Sequence, residues 1–350
     1  IQFSFVLFMM KSTNKQIAVW LFSGCILIFG MVVIGGITRL TGSGLSITEW
    51  KPIMGAIPPM NDAEWNSAFE KYKQIPQFQK INYHFEMDDF KSIFWWEYIH
   101  RLLGRMIGIV FIVPFVWFLV KKKLDKPTIK KALFLFLLGG IQGFLGWFMV
   151  SSGLAERTSV SHIRLAIHLM FAFITFAFTF YYGLEFVYSE KQSEERSKKS
   201  SALNKLIFVL LSVQIIYGAF VAGLHAGKIH NTFPLMSGQV IPSGMGVMQP
   251  TLANVFDNPV TVQFIHRFFA FMLLFLCSWL AVASHKEQLN TYQRKGITWL
   301  FIAVCLQFLL GVLTVLTQAN IVLASLHQVG AFFFFSVSIY LLFHFKKKEA

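Results

Sequence analysis

The sequence predicts an all-α polytopic membrane protein: eight transmembrane helices arranged as two tandem, pseudo-two-fold-related four-helix bundles. Three observations lead there. Hydrophobic residues make up 55% of the 350-residue chain and charged residues only 14%, against roughly 25% charged in an ordinary soluble domain. So much apolar surface has no soluble core of this size to hide it, which excludes a soluble enzyme, a disordered chain and a fibrous protein. Eight apolar stretches reach the roughly 20 residues a helix needs to cross a bilayer. Motifs of the first half also recur, in order, in the second.

The stretches cover 17–37, 94–120, 132–150, 161–188, 204–222, 261–284, 297–318 and 321–345. Their period is helical, which argues against a β-barrel. Pro114 falls inside the second, where a membrane helix tolerates it as a kink. Lys and Arg gather in 121–131, 189–205, 285–296 and the final residues, alternating with connections poorer in them. Short basic loops stay in the cytoplasm, so both termini are expected inside and loops 38–93, 151–160, 223–260 and 319–320 outside. The formal charge of +14 is then an orientation signal and a contact for anionic lipid. No soluble basic face exists for a nucleic-acid partner. Residues 1–16 are expected to be an N-terminal extension that opens like a hydrophobic leader without a small-residue cleavage site. The first bundle is expected at 17–188, a cytoplasmic linker at 189–203, the second bundle at 204–345 and a basic cytoplasmic tail at 346–350. Cys25, Cys277 and Cys305 all lie in apolar stretches and read as small buried hydrophobes, with no disulfide or CxxC metal spacing.

The repeat carries the chemistry. WEYIHRLLG at 96–104 aligns with VQFIHRFFA at 262–270, IQGFLGW at 141–147 with LQFLLGV at 306–312, and LAIHLMFA at 165–172 with ASLHQVGA at 324–331. IGGITRLTGSG in the first stretch echoes YGAFVAGLHAG in the fifth. Four crossings thus occur twice, and an even number sends both halves into the membrane from the same side. Ionisable residues in membrane helices default to functional hypotheses. His100 and His168 in the first half match His266 and His327 in the second. Each is expected six or seven residues into a helix running inward, about 10 Å below the outer surface at 1.5 Å per residue. Two imidazoles at one depth on two helices of a bundle suit axial ligation of a haem. Zinc or copper would want three or more ligands together, which the halves do not supply.

The halves differ three residues before the first histidine of each pair, where Glu97 stands against Gln263. Spacing i, i+3 puts both on the histidine's face. A buried carboxylate beside an iron site can exchange protons or bind an intermediate, and an amide cannot. The first half is therefore expected to do chemistry and the second to hold a haem for electron transfer. The competing reading makes Glu97 an ion-pair partner of Arg101 or Arg105. Arg101 and Arg267 follow their histidines and suit haem propionates. Arg164, four residues before His168 where the second half has Leu323, and His162, at the start of the fourth stretch, are further candidates for propionate contact or support of the ligands.

GGITRLTGSGLSITEWKPIMGAIPPMNDAEWNSAFEKYKQIPQF at 35–78 and WWEYIHRLLGR at 95–105 resemble the heme A synthase family, in the branch of mitochondria and related bacteria. So do RLAIHL at 164–169, GAFVAGLHAG at 218–227, FIHRFFA at 264–270 and LHQVGA at 326–331. The resemblance implies oxidation of the C8 methyl of heme O to a formyl group by successive hydroxylations, giving heme A for cytochrome c oxidase. It places the substrate haem between His100 and His168, a bound heme b between His266 and His327, and the essential glutamate at Glu97. It further implies an integral protein of the bacterial inner membrane, a heme O synthase as supplier and an electron donor, and leaves homo-oligomers open. The cysteine pairs of another branch are absent, so no thiol step carries over, and His162 stands where a tyrosine is expected. The alternative is a di-haem b membrane cytochrome that passes electrons from quinol without oxygenation.

Overall fold

A computed structural model describes residues 12–50, 54–188 and 198–346. The leader-like opening up to residue 11, linker residues 189–197 and tail residues 347–350 lie outside them. Among the described residues eight helices are long and apolar enough to cross a membrane: α1 (Ser12–Leu40), α4 (Met87–Val120), α5 (Lys126–Leu154), α6 (His162–Val187), α7 (Lys198–Gly223), α9 (Pro259–Ala283), α10 (Thr291–Leu316) and α11 (Ile321–His344). The short helices α2 (Asp62–Lys73), α3 (Pro76–Lys80) and α8 (Ala253–Asp257) lie in connections. Among the described residues there is no strand, only an isolated bridge between Met236 and Gln239. The all-helical, eight-span expectation holds.

Several helices overrun their apolar stretches, because capping side chains rather than hydropathy set helix ends. Asp125 accepts from the Thr128 amide at 2.9 Å and starts α5 six residues before the apolar window, with Pro127 in the first turn. Asn290 and Gln293 form a capping box that starts α10. Asn258 and Asn320 cap α9 and α11 through paired amide contacts. The longest overrun is in α4, which begins at Met87 behind a Glu86/Asp89 capping box. Pro114 sits inside that helix.

The extra turns of α4 are used by the long loop before it. Trp65, Phe69 and Tyr72 share one face of α2 at i, i+4 and i+7 spacing and pack onto Phe90, Ile93 and Phe94 of α4 in one buried cluster. Trp65 meets Phe94 at a centroid distance of 4.9 Å, and Phe69 stacks on Phe90 at 5.0 Å. Tyr72 donates to Gln77 Oε1 (3.1 Å) and accepts from Asn82 Nδ2 (2.8 Å), while Gln77 Nε2 donates to the Gly42 carbonyl at 2.9 Å. Burial raises the Tyr72 phenol above its ordinary pKa. Trp65 belongs to the core of this packed loop, whereas Trp50, Trp95 and Trp96 are exposed.

Contacts divide the chain into two compact units, Ile26–Thr175 and the described residues of Ile1–Cys25 with Phe176–Ala350. In the second unit Ala18, Leu184, Val187, Tyr188 and Phe343 form a buried cluster. Its long connection before α9 is held by Asn254, which bonds the backbone of Met248 in both directions, and by Asn258, which donates to the Gly244 carbonyl. Cys25 and Cys277 are buried as expected, but Cys305 is exposed. Apolar composition does not distinguish the packed side of a spanning helix from its lipid side, and Cys305 falls on the unpacked side of α10.

Candidate functional site

His266 on α9 and His327 on α11 face one another with ring centroids 6.4 Å apart and planes at 78°. A metal–imidazole bond of about 2 Å puts the centroids of two trans imidazoles about 6 Å apart, so the pair has the separation that axial ligation of one iron requires. In the other unit, His100 on α4 and His168 on α6 lie close enough to interact electrostatically. All four rings are only partly buried. Buried Nδ1 atoms of His168, His266 and His327 have no protein partner, and unsatisfied buried imidazole nitrogens are rare unless they serve a ligand or function. These residues fit a haem. Among the described residues no three His, Cys, Asp or Glu side chains gather as a metal cluster.

His168, His266 and His327 lie six or seven residues after the first residue of their helices, whereas His100 lies 13 positions beyond Met87 because the capped turns lengthen α4.

Sequence reasoning passed over what each ring rests on. A Cβ added at Gly35 would lie 3.0 Å from the His100 ring, at Gly146 3.1 Å from His168, at Gly218 3.3 Å from His266 and at Gly311 3.0 Å from His327. Each imidazole is therefore seated on a glycine of a neighbouring long helix, and the four glycines occupy repeat-matched positions. The signal was present: Gly35 aligns with Gly218 and Gly146 with Gly311. Glutamines one turn before three of these glycines also reach the histidine-bearing helices. Gln142 Nε2 donates to the His168 carbonyl at 3.2 Å, and Gln214 Nε2 to the His266 carbonyl at 3.0 Å. The amide nitrogens of Gln214 and Gln307 stand 3.5 and 3.4 Å from the Nε2 atoms of His266 and His327.

Glu97 is 3% exposed and fully engaged. Its Oε1 accepts from Arg101 Nε at 3.0 Å and Nη2 at 2.7 Å. Its Oε2 accepts from Ser46 Oγ at 2.7 Å and the Ile47 amide at 2.9 Å. Arg101 continues to the carbonyls of Ile47 (2.8 Å) and Glu49 (3.0 Å). Of the two ion-pair partners the sequence offered, Arg101 is the one that forms, and the pair clasps loop 46–49 to α4. The matched residues of the second unit also clasp a loop: Gln263 Nε2 donates to the His230 carbonyl at 3.1 Å and Arg267 Nη1 to the Thr232 carbonyl at 2.8 Å. Arg164 donates to the Phe148 carbonyl at 2.8 Å, with its guanidinium 3.9 Å from the Phe148 ring, so it ties the start of α6 to the last turns of α5. His162 is buried at the first position of α6.

Fold and site together define an integral membrane protein of eight spanning helices with a pair of neighbouring imidazoles in each of two units. Residues 18–339 match the sequence model of the family described as cytochrome oxidase assembly protein (COX15-CtaA), and the chain belongs to that family. It is 48% identical over 342 residues to the heme A synthase of Flavobacterium johnsoniae, covering 97% of this chain and 100% of the relative. The heme A synthase of Nitrosomonas eutropha is 44% identical over 334 residues, 93% of each chain. That of Rhizobium meliloti is 44% identical over 323 residues, 92% of this chain and 87% of the relative.

Proposed function

We propose that this protein is a heme A synthase, a membrane oxidoreductase that converts the C8 methyl of heme O to a formyl group by successive hydroxylations. The observation that carries the reading is the identity of 48% extending over 97% of this chain and the whole of a heme A synthase. Relatives bearing that name do not favour the di-haem cytochrome alternative. In this reading His100 and His168 hold the substrate heme O, and His266 and His327 hold a resident heme b. Heme b, when bound, supplies one-electron redox chemistry that no side chain offers.

The residues of the chain have separable tasks. The imidazole pairs orient each macrocycle between two helices, and the glycine seats fix the planes of the rings. Glu97, one turn before His100, supplies a carboxylate to stabilise positive charge developing on the methyl carbon or to relay its protons. Arg101, Ser46 and the Ile47 amide hold that carboxylate in place. Cap residues Leu45, Trp65, Phe69 and Tyr72, buried in one cluster with α4, exclude water from the end of the bundle. Arg164, Arg267 and His162 support the ligand helices and stand ready for propionates. The membrane is the bacterial inner membrane, with both termini cytoplasmic. A heme O synthase delivers the substrate and a separate donor the electrons.

Expression beside a heme O synthase, followed by pigment extraction, tests the reading. Heme A should appear with heme b; heme O and heme b alone, with no heme A at any expression level, would refute it.

A further inference from the structure

The connection from α7 to α9 differs in character from the one between α1 and α4. Residues 229–256 hold no Lys, Arg, Asp or Glu, whereas the earlier connection carries charges from Glu49 to Glu86. The uncharged segment finds its polar partners within the protein. Asn231 Nδ2 donates to the carbonyls of Gly227 (2.7 Å) and Val315 (2.9 Å). Thr232 Oγ1 donates to the Leu235 carbonyl at 2.6 Å and accepts from the Ser237 amide at 2.7 Å. Met236 and Gln239 exchange backbone hydrogen bonds of 2.9 and 3.1 Å across a turn at Ser237 and Gly238. Gln263 and Arg267 take up the His230 and Thr232 carbonyls. Irregular backbone is tolerated at membrane depth only where protein supplies such partners.

Phe233 marks how far the segment reaches. Its ring stacks on Phe271 of α9, with centroids 5.9 Å apart and planes at 12°, and meets Phe308 of α10 edge-on at 5.9 Å. Phe271 lies 12 positions into α9 and Phe308 eight positions before the end of α10, about 18 and 12 Å from those helix ends at 1.5 Å per residue. At about 100° per residue, Phe268, Phe271 and Phe275 point away from the direction of His266, and they are 57%, 44% and 65% exposed. They form the side of α9 turned from the histidine pair, which is its lipid side. Phe233 thus lies against the lipid-facing surface of a spanning helix, well below its end.

Beyond this wedge the segment displays Leu235, Val240, Ile241, Val247 and Leu252, each at least 40% exposed. Exposed apolar surface of this kind marks a contact with protein or membrane. A protein interface carries a polar rim, and here no charged residue stands among the aliphatic ones. Continuity with the lipid side of α9 through Phe233 decides for lipid. We infer that residues 229–252 are an interfacial segment inserted into the leaflet at this end of α9, with Phe233 wedged between α9 and α10 and with Val240, Ile241 and Val247 at the boundary of headgroups and acyl chains.

Depth-resolved fluorescence quenching tests this. Val240→Cys, Val247→Cys and, as a water-facing reference on α2, Glu70→Cys (side chain 66% exposed) are made in a Cys305→Ser background, since Cys25 and Cys277 are buried. Each full-length protein is labelled with an environment-sensitive fluorophore and reconstituted into phosphatidylcholine vesicles with iodide on both sides. Labels at 240 and 247 should emit at shorter wavelength than the reference and be quenched by spin-labelled lipid at a depth of about 5–10 Å. The Glu70→Cys label should be quenched by iodide alone. Adding Phe233→Ala should move the label at 240 towards water. Iodide quenching at 240 and 247 equal to the reference would overturn the inference. So would shielding from both quenchers, which a second copy of the chain in that place would give. An unchanged depth in Phe233→Ala would overturn the role of the wedge.

Discussion

Replacing Glu97 with Gln probes the site most directly. The carboxylate accepts four hydrogen bonds, two from Arg101 and one each from Ser46 and the Ile47 amide. The Arg101 side chain is only 14% exposed. Gln preserves the shape but converts one oxygen to an NH₂ group, which must then face either the guanidinium or the Ile47 amide, donor against donor. It also leaves Arg101 without a counter-charge. Removing one partner of a buried ion pair costs about 3–5 kcal/mol, part of it recovered here because Arg101 keeps its two loop carbonyls. Loop 46–49 should therefore loosen, visible as faster amide exchange at Ile47 in detergent-solubilised protein. Loss of a proton-transfer group should lower heme A formation by about 10²–10⁴-fold. Both histidine pairs are built from other residues, so in the proposed function the haem content should stay within twofold of wild type. Heme A formed at the wild-type rate would remove Glu97 from the chemistry. Unchanged exchange at Ile47 would show that the clasp does not hold the loop.

Three further outcomes follow from the same geometry. Gly311→Ala places a methyl 3.0 Å from the His327 ring while improving helix propensity by about 0.5–1 kcal/mol; heme b content should drop with no loss of thermal stability in the haem-free protein, and a full complement of heme b would deny the glycine its role as a seat. Asp125→Ala removes the α5 cap and should destabilise the protein by about 1 kcal/mol. Its hydrogen bonds with Thr128 lower the Asp125 pKa, so this contribution is complete above about pH 4 and fades as pH falls through the lowered folded value; a difference between wild type and Asp125→Ala that persists below that range would contradict it. Tyr72→Phe deletes the bridge between Gln77 and Asn82 and should cost about 1–3 kcal/mol, read as earlier proteolysis within 61–86.

The parts legible in sequence were those set by solvation and repetition. Eight spans follow from hydropathy, because lipid demands continuous apolar length. The four histidines stand out because a polar group repeated in an apolar helix rarely lacks a reason. Helix ends were less legible: α5 starts where Asp125 caps it and α4 where Glu86 does, and neither residue changes the hydropathy profile. The partners of Glu97 were half legible. Arg101 is one helical turn away and was named as a candidate, but Ser46 and Ile47 are about fifty residues distant and join only when the loop folds back. The seats were the least visible, since Gly35 or Gly311 in an apolar helix looks like spacing until a ring is placed against it.

The Glu97/Gln263 difference also has a structural cause, found in the polarity of the two loops. The loop facing Glu97 offers donors, the Ser46 hydroxyl and the Ile47 amide, and only an acceptor on α4 satisfies both. The loop facing Gln263 offers acceptors, the His230 and Thr232 carbonyls, which take hydrogen bonds from Gln263 and Arg267. There a carboxylate would point lone pairs at lone pairs, and an amide donor is required. Each residue is thus matched to its loop whether or not it also acts on a haem. Gln263→Glu should then destabilise the second unit by about 1–3 kcal/mol through the lost donor and the carboxylate oxygen set against the His230 carbonyl, which keeps its hydrogen bond from Arg267, with the new charge partly offset by Arg267. It should not create heme A formation in a Glu97→Gln background, because the carboxylate would lie in the wrong unit. A Gln263→Glu protein as stable as wild type would show that loop polarity does not set this residue, and would leave catalysis as the sole reason for the asymmetry.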